Sequence, residues 1–276
     1  MDLIKAPVKR SSVRLMLGKQ YYMLRRYAAW MFRGTRFTRF KDTRPLRHPA
    51  FTHSTPLYRQ LKDVDMWLQE NKVTNLRLAT EKLNGLVIRP GETFSYWVSI
   101  GKPTKAKGYK DRMVLFYGGF KAGVGGGLCQ LSNLIYWMTL HTPLTVTERH
   151  RHSYDVFPDS NRTQPFGSGA TCSYNYLDLQ IRNDTERTYQ LLVGLTDEEL
   201  VGEWRTDAPQ LESYEVFERD HRMSQEHWGG YTRHNRIFRN VYNVRGEWIR
   251  EEYVTENHSL MMYSPLLQEP GVSRTS

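Results

Sequence analysis

The chain has 276 residues, 39% of them hydrophobic and 13% aromatic, which is long enough to bury a sizeable core and too apolar for a disordered protein. Its net charge of +10 comes from the first 50 residues, with 13 Lys and Arg against two acidic residues, while the remaining 226 hold 26 basic and 27 acidic side chains. Two cysteines exclude a disulfide framework, and the short, interrupted N-terminal apolar runs predict neither a secretory signal nor a membrane span, so we expect a cytoplasmic protein.

The basic N-terminal segment contains a predicted amphipathic helix between residues 12 and 32. Its apolar residues recur at i, i+4, i+7, i+11 and i+14 and form one stripe, here called the apolar stripe: Leu17, Tyr21, Leu24, Ala28 and Met31. Three interpretations fit such a helix: docking on the domain, peripheral contact of residues 1–50 with the anionic inner face of a membrane, or a solvated tail without a partner. No specific nucleic-acid partner is predicted.

The next segments mix helix and strand signals. Residues 34–56 are predicted to form a connector, and residues 57–83 a helix in two pieces broken near Asn71 that stops at Asn84-Gly85. The residue types that follow predict a strand over 86–88, a turn over 89–92, a second strand over 93–100 and a basic loop over 102–110.

The stretch GGFKAGVGGGLCQLSNLIYW, residues 118–137, places glycines directly before one of the two cysteines. Helical spacing of apolar residues predicts a buried helix over 128–140, ended by Pro143, with Cys129 in its first turn. The positive end of a helix dipole lowers a thiol pKa, so the pattern suits a nucleophile. It equally suits a tight backbone crossing in which Cys129 packs as a small hydrophobe.

Strand patterns dominate the remainder of the chain. They cover residues 145–153, 171–174, 177–182, 189–195, 200–205, 231–241 and 248–254, with hairpin turns at 196–199 and Arg245-Gly246. Helices first and strands after predict an α+β fold, a mixed sheet with the cysteine-bearing helix and a β-rich C-terminal part. We divide the chain into an N-terminal helix and connector (1–55), an α+β core (56–206) and a β-rich extension (207–276).

A cysteine nucleophile needs a base and a group that orients it. A strand over residues 145–153 would place Glu148, His150 and His152 on one face, and Asp178 lies in a later apolar strand. His150 and His152 with Cys129 and Cys172 also suggest zinc, but the spacing does not support a closed structural site, because no CxxC or HxxxH is present, and we predict no metal. Arg149, Arg151, Asn175 and Asn183 are further candidates to bind a carboxylate or an amide.

The segments GGGLCQLSNLIYW, ERHRHS, FGSGAT and YLDLQIRND, with LNGLVIRPGETFSYW upstream, strongly resemble the VanW family, named after a protein of vancomycin-resistance clusters. The resemblance runs from about Val73 to Gly202. It implies a mixed α/β core and, by association, a link to peptidoglycan and glycopeptide resistance, but it assigns no reaction.

The family motifs point to particular residues of this chain. G-G-G-x-C-Q maps onto Gly125, Gly126, Gly127, Cys129 and Gln130, and E-R-x-x-H-S maps onto Glu148, Arg149, His152 and Ser153. The resemblance thus selects His152 over His150, and the later D-L maps onto Asp178 and Leu179. Many members have Asp in G-x-D-A-T where this chain has Gly169, which weakens the expectation of a complete site.

Two function hypotheses follow, and neither requires a cofactor. In the first, a thiol-dependent hydrolase or transferase acts on peptide or amide bonds of peptidoglycan or its precursors, with Cys129 as nucleophile, His152 as base and Asp178 as orienter. In the second, a non-catalytic module binds a peptidoglycan precursor or a protein partner at the glycine-rich loop and helix N-terminus. The predicted binding residues are Gly125, Gly126, Gly127, Gln130, Glu148, Arg149 and Ser153.

Overall fold

The computed structural model describes residues 11–58, 66–116, 119–151, 154–155 and 164–263, with only the backbone for 66–69, 112–116 and 119–122. The helices are α1 (Ser12–Phe32), α2 (Met66–Leu83), α3 (Tyr96–Ile100) and α4 (Cys129–Leu140), with a 3₁₀ turn at Lys105–Lys107. The strands are β1 (His48–Pro56), β2 (Leu86–Ile88), β3 (Thr93–Ser95), β4 (Asp111–Phe116), β5 (Gly119–Val124), β6 (Thr145–Glu148), β7 (Tyr154–Asp155), β8 (Gln180–Arg182), β9 (Tyr189–Leu195), β10 (Glu199–Thr206), β11 (Glu212–Gln225), β12 (Tyr231–Asn243) and β13 (Trp248–Met261). The predicted α+β class is confirmed.

The strands of the described residues form four sheets. Antiparallel strands in the order β1-β10-β9-β2 make the first, and β3-β8-β6 make a second, smaller one. β4 and β5 pair as a hairpin, and β11-β12-β13 form a long antiparallel meander that continues through a parallel pairing of β13 with β7. The meander is thereby attached to the segment that directly follows β6.

The core lies between the first sheet and the helices, because α2 packs on β9 while α4 packs on β1 and β10. Gly202 in β10 explains the close approach of α4: a Cβ atom there would lie 2.7 Å from Met138 Cε and 3.0 Å from Leu134 Cδ2. Trp204, which is fully buried, donates from its indole N–H to Thr139 Oγ1 at 3.2 Å. This packing fixes the position of α4 and hence of Cys129 at its first residue.

Several predicted elements differ from the structure. Residues 48–56, assigned to a connector, form the edge strand β1, where prolines are tolerated because only one side is hydrogen-bonded. The helix over 66–83 runs unbroken through Asn71. The sequence pattern does not predict the meander strand 212–225, because most of its residues are exposed. Residues 171–174 and 177–179 lie outside the named strands, and residues 145–153 form a strand only as far as Glu148 among the described residues.

The segment over 93–100 is a strand only to Ser95 and then a helix. Ser95 Oγ accepts from Val98 N at 3.2 Å, and the distant Asp178 carboxylate accepts from Trp97 N at 3.1 Å. These two bonds satisfy N–H groups that open the helix, so a partner 81 residues away overrides a local strand pattern.

Helix α1 forms over the predicted residues. Its apolar stripe is exposed, whereas a helix that docks on the domain would bury that stripe. None of its residues is buried, and in its apolar stripe Leu17, Leu24 and Met31 are 60%, 68% and 75% exposed. Its attachment lies on the other side: Arg26 pairs with Glu148, and Trp30 packs against the core. Within the described ranges, no helix is long and apolar enough to cross a membrane.

Candidate functional site

The glycine-rich segment before Cys129 turns its carbonyl groups inward. The buried Asn75 amide donates to Gly126 O at 3.0 Å, Gln130 N donates to Gly127 O at 3.1 Å, and Tyr96 Oη donates to Leu128 O at 2.8 Å. Asn75 also pairs with both backbone groups of Lys110, so one fully buried side chain on α2 fixes the path of the loop.

Of the N–H groups of the same segment, that of Gly125 donates to Lys110 O at 3.1 Å, and those of Gly126 and Gly127 have no such partner among the described residues. Gly125 and Gly127 have φ of 76° and 93°, whereas Gly126 has no positive φ and Leu128 has −62°. Successive residues of opposite handedness can direct their N–H groups into one concavity, and such a concavity binds anions. Among the described residues, none accepts a hydrogen bond from the N–H of Gly126 or Gly127, whereas the N–H of Cys129 is directed to its own thiol.

The Cys129 side chain belongs to a seam between α4 and the backbone of residues 170–172. Its Sγ donates to Cys172 O at 3.7 Å, Ser132 Oγ donates to Ala170 O at 2.7 Å, and Asn133 Oδ1 accepts from Ala170 N at 2.8 Å. Burial raises the pKa of the Cys129 thiol, so the prediction of a lowered pKa is wrong. Loss of hydration outweighs the backbone hydrogen bonds at Cys172 and Cys129 that lower the pKa, and Sγ is directed to the backbone carbonyl of Cys172.

Asp178 is fully buried, and its carboxylate is occupied by structural hydrogen bonds. Oδ2 accepts from Ser95 Oγ at 2.5 Å and from Gln180 Nε2 at 3.2 Å, while Oδ1 accepts from the backbone N–H of Trp97 and Leu179. Burial raises the Asp178 pKa to about 6 against these bonds. No described histidine contacts this carboxylate, and His152 and Ser153 lie outside the described residues, so the Cys129–His152–Asp178 assignment stays a prediction.

Glu148, at the end of β6, is the centre of a polar cluster. The Arg26 guanidinium of α1 forms a bidentate pair with its carboxylate, with Nη1 2.5 Å from Oε2, and Arg26 also donates to Tyr176 O. His150 Nε2 and Asp178 N donate to Glu148 Oε1 at 2.9 Å and 3.1 Å. Burial disfavours the charged carboxylate, but the bonds from His150 and Arg26 prevail and lower the Glu148 pKa to about 2.

Two predicted binding residues, Arg149 and Gln130, use their side chains inside the protein. Arg149 donates to Gly167 O and Gly169 O and to Thr255 and Asn257 of β13, so it links β6 to the meander. Gln130 Nε2 donates to Thr55 Oγ1 and Pro56 O of β1 at 3.0 Å and 2.9 Å, not toward the glycine-rich segment.

Of the remaining polar candidates, Arg151 and Asn183 also donate hydrogen bonds within the protein, and, within the described ranges, Asn175 does not. Arg151 donates to Ser259 of the meander, and Asn183 donates to the carbonyls of Ile88 and Arg187. Asn175 is fully buried, and its amide has no partner among the described residues. No three His, Cys, Asp or Glu side chains within the described ranges could hold a metal ion together.

Sequence reasoning missed three residues that shape this region: Arg26, Asn75 and Ser95. Each is an ordinary polar residue in a helix or strand pattern, and its partner lies 51 to 122 residues away. No local signal identifies such a partner. Asn75 offers one weak hint, because an amide between apolar neighbours in a buried helix requires a hydrogen-bond partner.

Comparison of the sequence with known proteins identifies relatives of the chain. The family model described as "VanW like protein" matches residues 71–205. The "Vancomycin B-type resistance protein VanW" of Enterococcus faecalis is 40% identical over 190 residues, 69% of each chain. The "Uncharacterized protein YoaR" of Bacillus subtilis is 31% identical over 109 residues, 40% of this chain and 34% of that protein. No solved structure shows significant similarity.

Proposed function

Because the chain belongs to the VanW family, we propose that it binds a peptidoglycan precursor through a carboxylate of the stem peptide, without catalysis by Cys129. One observation carries the proposal. In the glycine-rich segment, the carbonyls of Gly126 and Leu128 accept hydrogen bonds from buried side chains, and the N–H groups of Gly126 and Gly127 have no acceptor among the described residues at the start of α4. Backbone N–H groups at a helix start bind anions, and the enterococcal relative is a vancomycin-resistance protein, which connects the family to a drug directed at the cell wall.

The cysteine has a structural role in this proposal. Its thiol donates to the Cys172 carbonyl, and its pKa is raised by burial, so it holds α4 against residues 170–172. Serine keeps both the donor and the backbone N–H. We therefore expect Cys129→Ser to retain binding.

The test is isothermal titration calorimetry with a synthetic stem peptide that ends in a free carboxylate, and with the same peptide amidated as the matched control. We expect the free acid to bind at least about tenfold more tightly, since charge-assisted bonds to N–H groups are lost with the amide. Equal affinities, or no binding of either peptide, would contradict the proposal.

The thiol enzyme is the second candidate, and one observation favours it. Cys129, Asp178 and Glu148 all lie near the buried Cys172, whose pKa is raised first by burial and then by these three groups, so the thiol and both carboxylates share one neighbourhood. The pH dependence of Cys129 alkylation in a Cys172→Ser background separates the two. We expect a thiol pKa above the free value of about 8.5 that His152→Ala leaves unchanged; a lowered pKa that rises in His152→Ala would assign the enzyme.

A further inference from the structure

Helix α1 exposes an unusual amount of apolar surface. Nine of the 18 large apolar side chains that the described residues expose lie on this one helix of 21 residues. A soluble protein rarely presents so many on one element without a partner that covers them.

The two sides of α1 have different tasks. At about 100° per residue, Arg26 lies nine positions from Leu17 and so on the opposite side of the helix axis. The Arg26 side faces the domain, where Arg26 pairs with Glu148 and Tyr27 Oη lies 2.9 Å from Tyr174 Oη. The apolar stripe therefore points away from the domain because of how the helix is attached.

The charge around the stripe identifies the kind of surface that covers it. Arg14 and Arg25 flank the stripe, and no acidic residue occurs between Asp2 and Asp42. A second copy of the chain would bring like charges together, so self-association through the stripe is disfavoured. A nucleic acid would pair with the arginines but gain little from the leucine and methionine side chains. An anionic lipid surface matches both the charges and the apolar side chains.

We propose that α1 lies in the interface of an anionic membrane, with its apolar stripe in the lipid and with Arg26 holding the opposite side to the domain. A helix of 21 residues is about 31 Å long, which suits an interfacial helix that lies parallel to the bilayer. The domain, with Glu148 and the start of α4, is thereby held next to the membrane. This inference is independent of what the glycine-rich segment binds.

The experiment is flotation of the full chain with vesicles of phosphatidylcholine alone and with vesicles that also contain about 30% phosphatidylglycerol. We expect binding to the anionic vesicles only, and weaker binding at high salt because exposed charges are screened. Leu17→Gln/Leu24→Gln should lower the partition coefficient at least about tenfold, since two leucines leave the lipid. The matched control is Leu211→Gln, a leucine that is 62% exposed on the domain and should have no effect.

Three results of the flotation experiment would overturn the inference: no binding by the unmodified chain, equal binding by Leu17→Gln/Leu24→Gln, or equal binding to neutral vesicles. Sedimentation velocity without lipid tests the second-copy alternative. A dimer that dissociates in Leu17→Gln/Leu24→Gln would assign the stripe to self-association and overturn the membrane surface. Circular dichroism of each variant shows that α1 and the domain stay folded.

Discussion

At the scale of single residues, Glu148 gathers donors from three parts of the chain. Arg26 comes from α1, His150 from the segment after β6, and the Asp178 N–H from the segment before β8. Its side chain is 20% exposed, and the pairing favours the ionised carboxylate enough to bring its pKa to about 2. Glu148 thus has a structural role: it connects three segments of the chain at the site.

The pH dependence of the free energy of unfolding should show how much the paired Glu148 carboxylate stabilises the fold. A carboxylate whose pKa is lower in the folded state stabilises the fold above its ordinary value, here 4.5, and that stabilisation is lost as the pH falls toward 2. We expect Glu148→Gln to lower the free energy of unfolding by up to about 3 kcal/mol at neutral pH and to have little effect near pH 2. Urea unfolding across this range measures the difference, with Glu186→Gln as the control at an exposed position. A pH-independent difference would contradict the pairing.

Gly169 stands where the family resemblance leads us to expect Asp. The side chain of Asn133 occupies the space beside it. A Cβ at Gly169 would lie 2.7 Å from Asn133 Oδ1, the atom that accepts from Ala170 N. We expect Gly169→Ala to displace that amide and to destabilise the protein by about 1–3 kcal/mol in urea unfolding. Gly194→Ala is the control, because no atom lies within 4 Å of the added methyl group. Equal effects of the two substitutions would rule out the contact.

At the scale of secondary-structure elements, α3 shows why Asp178 is buried. The carboxylate closes the first turn of a five-residue helix that begins after Ser95, and Ser95 bonds both to Asp178 and to Val98 N. So short a helix depends on such caps, because its own ladder is only one turn long. Asp178 therefore stabilises the element that carries Tyr96 to the carbonyl of Leu128.

Two serines of this region give a matched pair of variants. Ser95→Ala removes the cap and one donor to Asp178, and we expect a loss of about 1–3 kcal/mol in the free energy of unfolding. Ser99→Ala removes a buried hydroxyl that has no partner among the described residues, and we expect no loss. Chemical denaturation compares them. A smaller effect at Ser95 than at Ser99 would show that the cap does not stabilise α3.

At the scale of the whole molecule, the C-terminal meander is joined to the family core by buried polar contacts. Arg149 donates to two glycine carbonyls of the core and to Thr255 and Asn257 of β13. Arg239 of β12 donates to the carbonyls of Leu140 and Thr142 at the end of α4. The meander thus contacts the chain on both sides of β6, at the end of α4 and at Arg149.

Arg149→Ala separates a structural role from a ligand-binding role. Its removal leaves several carbonyl and amide oxygens without a donor, and we expect the free energy of unfolding to fall by about 3 kcal/mol or more. Arg182→Ala, at an exposed ion pair with Asp184, is the control and should change stability little. Thermal and urea unfolding measure both. Unchanged stability with lost peptide binding would return Arg149 to the ligand site, as the sequence motif predicted.

The sequence by itself determined the features that depend on near neighbours. Helix α1, the stop of α2 at Asn84-Gly85, helix α4 with Cys129 at its start, and the hairpins at 196–199 and 245–246 follow from apolar period, glycine and turn residues. The sequence motifs also sufficed for the family, because a long motif is a local property of the chain. The division into 1–55, 56–206 and 207–276 stays a prediction.

The direction of side chains and the charge state of buried groups depend on tertiary contacts. The apolar stripe of α1 is exposed, Glu148 pairs with Arg26, and Asp178 caps α3. Burial raises the pKa of Cys129, where the helix terminus alone predicted a lowered one. The physical reason is common to all four. Desolvation and hydrogen bonding depend on which distant residues meet, and a window of neighbouring residues contains no information about that meeting.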